Sequence, residues 1–296
     1  MSTSVKAQGP RGVPPLAEPG LDRGLRDVFK RRYLLKLLVQ KELKARYQAT
    51  FFGLAWSYAK PAVRFLVYFL VLGIGLRLDR EVPHFPLHIF TGMAITHMLQ
   101  ETLGAGSNAI VSNRTLVRKM NVPREMLPVT TLLVSTYHAL PQILILLAVG
   151  IAWGWTVGVT TLTAGVLAFA IVFIWSLAAA LLLSSLTVYF RDVGNVADIL
   201  GMLVLWSAPM IYPWSRVAAL DPIVSTIYQF NPVAIAVMLA QRCFWLPTID
   251  ESQVPDGQTM STLLPDDLLL KGVAHLVVGL LALSFAAWAF RRLQTR

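Results

Sequence analysis
Residues 157–187, VGVTTLTAGVLAFAIVFIWSLAAALLLSSLT, form an apolar run without a single charged side chain. A helix crosses a hydrocarbon core of roughly 30 Å with about 20 residues, so this run is long enough to span a membrane. The rest of the chain agrees with that reading. Of 296 residues, 55% are hydrophobic and 14% are charged, and the mean hydropathy is +0.59. Soluble domains carry roughly a quarter charged residues, so this chain lacks the polar groups to cover a water-facing surface. The expected fold class is all-α and integral to the membrane.

Working outward, five more stretches are long and apolar enough to cross: 56–78, 87–111, 127–153, 196–214 and 272–290. With 157–187 they predict six transmembrane helices. Basic residues orient them. Residues 1–60 hold twelve Lys/Arg, the loop after the second span holds Arg114, Arg118, Lys119 and Arg124, and Arg191 follows the fourth. Arg291, Arg292 and Arg296 end the chain. The opposite side has only Arg77, Arg80, Arg216, Arg242 and Lys271, while Arg64 lies within a span. Such an excess marks the cytoplasmic side, which predicts a multi-pass chain with both termini in the cytoplasm. The net charge of +10 is then spent on cytoplasmic loops and anionic headgroups rather than on nucleic acid.

Four regions lie outside the spans. Residues 1–20 are Pro/Gly-rich with no apolar core, which predicts a disordered cytoplasmic tail and no secretory signal. Residues 21–47 carry nine Lys/Arg among Val28, Leu35, Val39 and Leu43, whose spacing puts one apolar stripe on a basic helix. This predicts an amphipathic helix along the cytoplasmic interface, ahead of a transmembrane domain over 51–296. Residues 113–126 read as a short cytoplasmic loop. Residues 215–270 are the longest external segment, yet 222–228 and 233–245 are apolar, too short to cross, and broken at Asn231-Pro232. Pieces of that kind predict re-entrant helices between spans five and six.

Several chemistries are missing from the sequence. There is no G-x-x-x-x-G-K-[ST] phosphate loop, so ATP is not bound in that manner. Neither H-E-x-x-H nor G-x-S-x-G occurs, and the single cysteine, Cys243, excludes an internal disulfide. His84 and His88 are four apart, but Pro86 between them spoils a regular helix, and no metal site is expected. No catalytic residue and no cofactor are assigned to this chain. Any ATP hydrolysis, with its Mg, belongs to a separate subunit.

Charges inside spans are costly, so their positions are informative. Trp56, Lys60, Arg64 and Tyr68 recur at spacings of four and share a helical face, with Phe69 beside it. His97, Glu101 and Asn108 follow at spacings of four and seven, again on one face. Two readings stand. Arg64 pairs with Glu101 while Lys60 snorkels to the headgroups; or Lys60, Arg64 and Glu101 form the cationic cytoplasmic mouth of a wet pathway walled by aromatics. Aromatic planes stack on pyranose rings and tolerate sliding, which suits a long glycan.

The motifs then resemble a known family. Residues 41–61, KELKARYQATFFGLAWSYAKP, resemble the approach to span one in ABC-2-type permeases. Residues 113–128, NRTLVRKMNVPREMLP, resemble their first cytoplasmic loop, and 189–198, YFRDVGNVAD, the segment after span four. PMIYPW at 209–214 and Asn231-Pro232 resemble the outer end of span five and the re-entrant region. The subgroup most resembled exports polysaccharides such as O-antigen, teichoic acid and mycobacterial galactan. The resemblance implies a homodimer in the bacterial inner membrane, paired with two ABC ATP-binding subunits. It would move a lipid-diphosphate-linked glycan, galactan being the closest guess, out of the cytoplasm.

The same resemblance implies roles for residues. Short cytoplasmic helices at 118–125 and 191–198 would couple hydrolysis to the spans, through Arg118, Lys119, Asn121, Pro123, Arg124, Glu125, Arg191, Asp192 and Asn195. Trp56, Tyr68, Phe69, Trp206 and Tyr212 would line the glycan channel, and the face of span two that carries His97 and Asn108 is expected to join them. Lys60 and Arg64 depart from the family pattern; their charge and position, one turn apart just inside span one, are what predict that they receive the diphosphate near the depth of lipid phosphates. Two other functions are weighed against this. An ABC-2 permease for a lipid or drug usually has large external or fused ATPase domains, which this chain lacks. A membrane-embedded glycosyl- or acyltransferase would need a second carboxylate beside Glu101 and His97.

Overall fold
The computed structural model describes residues 24–47, 56–119, 122–255 and 257–294. Among them all regular structure is helical. The expected tail at 1–20 lies outside the described residues. The first elements are α1 (Leu25–Lys30) and α2 (Arg32–Tyr47). α2 packs on α7 (Met126–Ala152) with Leu38 buried and Leu35, Val39 and Leu43 half-buried. Its outer face was expected to be polar, yet it exposes Phe29 of α1 together with Tyr33 and Leu37.

α3 (Trp56–Tyr68) carries Pro61 in its interior and continues as a π-helix over Phe69–Gly75. A wider turn follows there, so the four-residue stripe from Trp56 to Tyr68 does not extend past Tyr68. A short 3-10 turn, Leu78–Arg80, leads to α4 (Phe85–Ser107), α5 (Ala109–Ser112) and α6 (Arg114–Lys119). After α7 come α8 (Val159–Thr187) and α9 (Val193–Ser207). Then follow α10 (Trp214–Ala218), α11 (Pro222–Gln229), α12 (Pro232–Phe244) and the closing α13 (Leu268–Gln294).

Among the described residues, four helical stretches are long and apolar enough to cross a membrane: Tyr58–Gly75, Met126–Ala152, Val159–Thr187 and Leu268–Leu293. α4 has the length, at 23 residues, but lower apolarity. The packing explains it. α4 is the axis of the bundle, contacted by α7, α8, α9 and α12, and buries His88, Thr91, Thr96 and Thr102. A helix surrounded by protein need not be apolar toward lipid. Its threonines donate their hydroxyl hydrogens to backbone carbonyls one turn back, as Thr91 does to Leu87 at 2.7 Å and Thr102 to Met98 at 2.8 Å. Gly106 lets α4 approach α8 closely, since a Cβ there would lie 2.8 Å from that of Ala180.

The stretch expected at 196–214 is shorter and shifted: α9 has 15 residues and ends at Ser207. Ala208 is extended (φ −88°, ψ 136°), the conformation that the ring of the following Pro209 imposes. Further on, the α11 segment and the helical run Pro232–Thr248 meet at 85°. Asn231 makes that corner: its Oδ1 accepts the Val233 N–H at 2.9 Å, and Pro232 starts the next helix with no N–H to satisfy. Every residue from Ala234 to Ala240 is wholly buried, against α8, α4 and α13. At 13 residues α12 reaches only about 20 Å, too short to cross.

Candidate functional site: a polar seam beside span one
α3 packs loosely on the rest of the molecule, and its polar face looks onto α4. Lys60 and Arg64 are both exposed. Arg64 borders a small pocket with Pro61, Met93, Thr96, His97 and Gln142. That position is midway along α4, deeper than the lip where the sequence reading put it. Beside it, an apolar cavity of about 220 Å³ separates α3 from α4 and α7, lined by Tyr58, Phe65, Pro86, Phe90 and Leu146 among others.

Glu101 does not pair with Arg64. Its Oε1 accepts hydrogen bonds from the Arg46 guanidinium and from His138 Nδ1, the latter at 2.7 Å. Arg46 also meets Glu42, one turn back in α2, at 3.6 Å. The buried carboxylate is thus compensated by the surface helix and by α7, as a charge in such surroundings requires. One turn outward, the Gln142 amide donates to His97 Nδ1 at 3.2 Å and to the His138 carbonyl at 3.3 Å. The seam therefore runs from Arg46 through Glu101 and His138 to Gln142 and His97. Arg46, His138 and Gln142 escaped the sequence reading. The signal was present: His138 and Gln142 lie one turn apart in the middle of an expected span, and Arg46 lies within the quoted stretch 41–61.

The aromatic candidates do not share one wall. Trp56 is exposed at the start of α3. Phe69 stacks on Phe65 with centroids 6.0 Å apart, and Phe65 meets Phe90 edge-on at 5.3 Å, so Phe69 belongs to the α3–α4 contact; Tyr68 is half-buried. Trp206 and Tyr212 form a separate group at the far end of α9, where Tyr212 Oη donates to the Trp206 carbonyl at 3.0 Å. Tyr228 and Trp214 join it. Asn108 lies elsewhere again, exposed at the break between α4 and α5.

The expected coupling residues divide likewise. Arg118 and Lys119 end α6, exposed, and Arg191, Asp192 and Asn195 are exposed at the turn into α9. The helix expected over 118–125 is instead α6, six residues ending at Lys119. Pro123 is buried, Arg124 is half-buried, and Glu125 is 1% exposed, so its side chain faces inward. Asn121 lies outside the described residues. α9 does begin at Val193, with Asp192 at the cap position, but the Asp192 side chain makes no capping bond. Tyr189 Oη donates to the Leu293 carbonyl, tying this corner to the end of α13.

Comparison with known proteins adds three likenesses. The family profile described as ABC-2 type transporter matches residues 33–245, from α2 to the end of α12. An O-antigen export system permease protein RfbA of Myxococcus xanthus is 28% identical over 242 residues, covering 81% of this chain and 89% of that protein. A protein of the same name from Klebsiella pneumoniae is 22% identical over 217 residues, covering 71% and 80% respectively.

Proposed function
The chain belongs to the ABC-2 type transporter family, and from that premise we propose that it is the membrane permease of an ATP-driven polysaccharide exporter. One observation carries this reading: the likeness to O-antigen export permeases spans most of both chains, not a single motif. The sequence contains no phosphate loop, which accords with a partner supplying the hydrolysis, and two ABC ATP-binding subunits on a homodimer of this chain are the proposed assembly. ATP and Mg would reside on those subunits.

In the proposed topology the chain lies in the inner membrane with both termini cytoplasmic and six spans: α3 with its π-helical continuation, α4, α7, α8, α9 lengthened by the non-helical residues 208–213, and α13. The bent α11–α12 pair re-enters from outside. The cargo is a lipid-diphosphate-linked glycan, with galactan as one candidate. Lys60 and Arg64 would attract its anionic group, because two cations one turn apart can hold a diphosphate by charge-assisted hydrogen bonds. The glycan would pass Trp56, Tyr68, His97 and Trp206. Arg118, Lys119, Arg191, Asp192 and Asn195 form the surface for the ATP-binding subunit. The transferase alternative loses ground, since Glu101 is committed to Arg46 and His138.

Depleting the protein in its host tests the reading. Lipid-linked polysaccharide should accumulate inside while the surface polymer disappears. Unchanged surface polymer would reject export as the function. For the receptor, Lys60→Gln with Arg64→Gln should abolish cargo-stimulated ATP hydrolysis by the assembled complex.

A further inference from the structure
Beneath the surface helix lies a second cavity, of about 180 Å³, bounded by Lys41 and Glu42 of α2, Asn108 and Ser112 around α5, and Thr130 and Thr131 of α7. Its wall is rich in hydroxyls whose hydrogens are already given away. Ser112 gives its hydroxyl hydrogen to the Asn108 carbonyl at 2.8 Å, Thr130 to Met126 at 2.7 Å and Thr131 to Pro128 at 2.8 Å. Asn108 donates an amide hydrogen to the Ser107 hydroxyl at 3.1 Å, and Asn113 donates to the Ala109 carbonyl at 3.1 Å and the Ser112 hydroxyl at 3.4 Å. The hydroxyls of Thr130 and Thr131, and the remaining lone pair of Ser112, therefore have acceptor capacity but no hydrogen left to offer a guest. Glu42 adds a carboxylate. Lys41 adds one cation, whose Nζ already donates to Asn113 Oδ1 at 3.2 Å.

A guest for such a wall must bring hydrogens, and it gains by bringing one charge of each sign. We propose that this cavity seats the headgroup of a phospholipid bearing a phosphate and a primary ammonium. The ammonium supplies three N–H donors to the hydroxyl oxygens and Glu42, while the phosphate, two carbons away, meets Lys41. A quaternary ammonium has no N–H to give and would leave the hydroxyl lone pairs that it covers unpaired. The assignment of a lipid, rather than a soluble guest, rests on the proposed topology, in which α2 lies at the cytoplasmic leaflet. The bound headgroup would bridge α2 to the bundle where Lys41 and Asn113 already join them.

The test needs neither cargo nor ATP-binding subunit, so its outcome is independent of the export reading. The full chain, purified in detergent, is titrated with dihexanoyl phosphatidylethanolamine, its choline and glycerol counterparts, and free O-phosphorylethanolamine. The ethanolamine lipid should bind at least about tenfold tighter than the other three. Equal binding of the choline or glycerol lipid would overturn the ammonium site, and equal binding of the free head would overturn the lipid assignment. Thr130→Val with Thr131→Val removes acceptors without changing shape and should cut the preference to below about threefold, whereas the paired serine substitutions should keep it. Ser112→Ala, at the exposed rim, repeats the test without touching α7 packing. A preference that survives both the valine pair and Ser112→Ala would overturn the proposal.

Discussion

Arg46, in the last turn of α2, and Glu101, six residues before the end of α4, are joined by a hydrogen-bonded ion pair. The pair therefore fixes the C-terminal turn of α2 to the axis of the bundle. His138 completes it from α7, on the same carboxylate oxygen.

Removing either member of this pair should be costly. Glu101→Gln and Arg46→Gln each leave a poorly compensated charge, for which about 3 kcal/mol is expected, the low end for buried pairs because Arg46 is partly solvated. Arg64→Gln should cost well under that. Denaturant unfolding in detergent, arranged as a double-mutant cycle, measures the coupling. Additive effects of Arg46→Gln and Glu101→Gln would show the pair to be without energetic consequence.

Arg216 of α10 clasps Glu81 through two nitrogens, at 2.6 to 3.2 Å. Both side chains are about half exposed, so the clasp should contribute no more than about 1 kcal/mol. Its role is geometric, since it links the outer end of span one to α10. Glu81→Gln should leave the melting temperature nearly unchanged. A disulfide formed between cysteines at both positions should stop export reversibly, with reductant restoring it. Normal export by the cross-linked protein would mean that these elements need not part.

His84 gives a pH dependence with a definite sign. Burial holds its imidazole below the ordinary value of 6.5, an effect that nearby Asp250 partly offsets. The ring stacks on Trp153 and shares a 3.0 Å hydrogen bond with Thr248. Because the folded state resists protonation, the unfolded state binds more protons below about pH 6.5, and stability falls as the medium is acidified through that range. Melting temperatures between pH 7.5 and 5.5 should drop less for His84→Asn than for the wild type. Asparagine is the suitable replacement because His84 has φ +46°, which asparagine tolerates.

At the α4–α8 seam, Gly106→Ala places a methyl 2.8 Å from the Ala180 Cβ. Overpacking of this kind typically costs 1–3 kcal/mol, about the loss expected here. The paired change with Ala180→Gly should recover most of it, as read by thermal unfolding.

Much of this was legible in the sequence because membrane burial rewards length and apolarity. The runs at 127–153 and 157–187 became α7 and α8 within a few residues, and the basic helix before span one was found as α2. The break at Asn231-Pro232 was legible too, since a capping amide followed by proline has a local meaning. The end of α9 was not. Apolar residues continue to Trp214, and hydropathy does not register that Pro209 and Pro213 forbid a helix there. The partner of Glu101 was missed for a different reason. Spacing identifies residues on one face of a helix, but Arg46 and His138 reach the carboxylate from two other helices. Only packing brings them together.

The wrapped, hydroxyl-rich character of α4 bears on how the chain is made. An inserting helix is judged largely by its own side chains, and His88, Gln100 and Glu101 each count against retention in lipid. Their compensation arrives from elsewhere: Gln241 of α12 for His88, the Gly201 carbonyl of α9 for Gln100, and Arg46 with His138 for Glu101. Two of those partners, Gly201 and Gln241, are synthesised more than ninety residues later. The polar side chains of α4 are thus fully partnered only once the later half of the protein has been made.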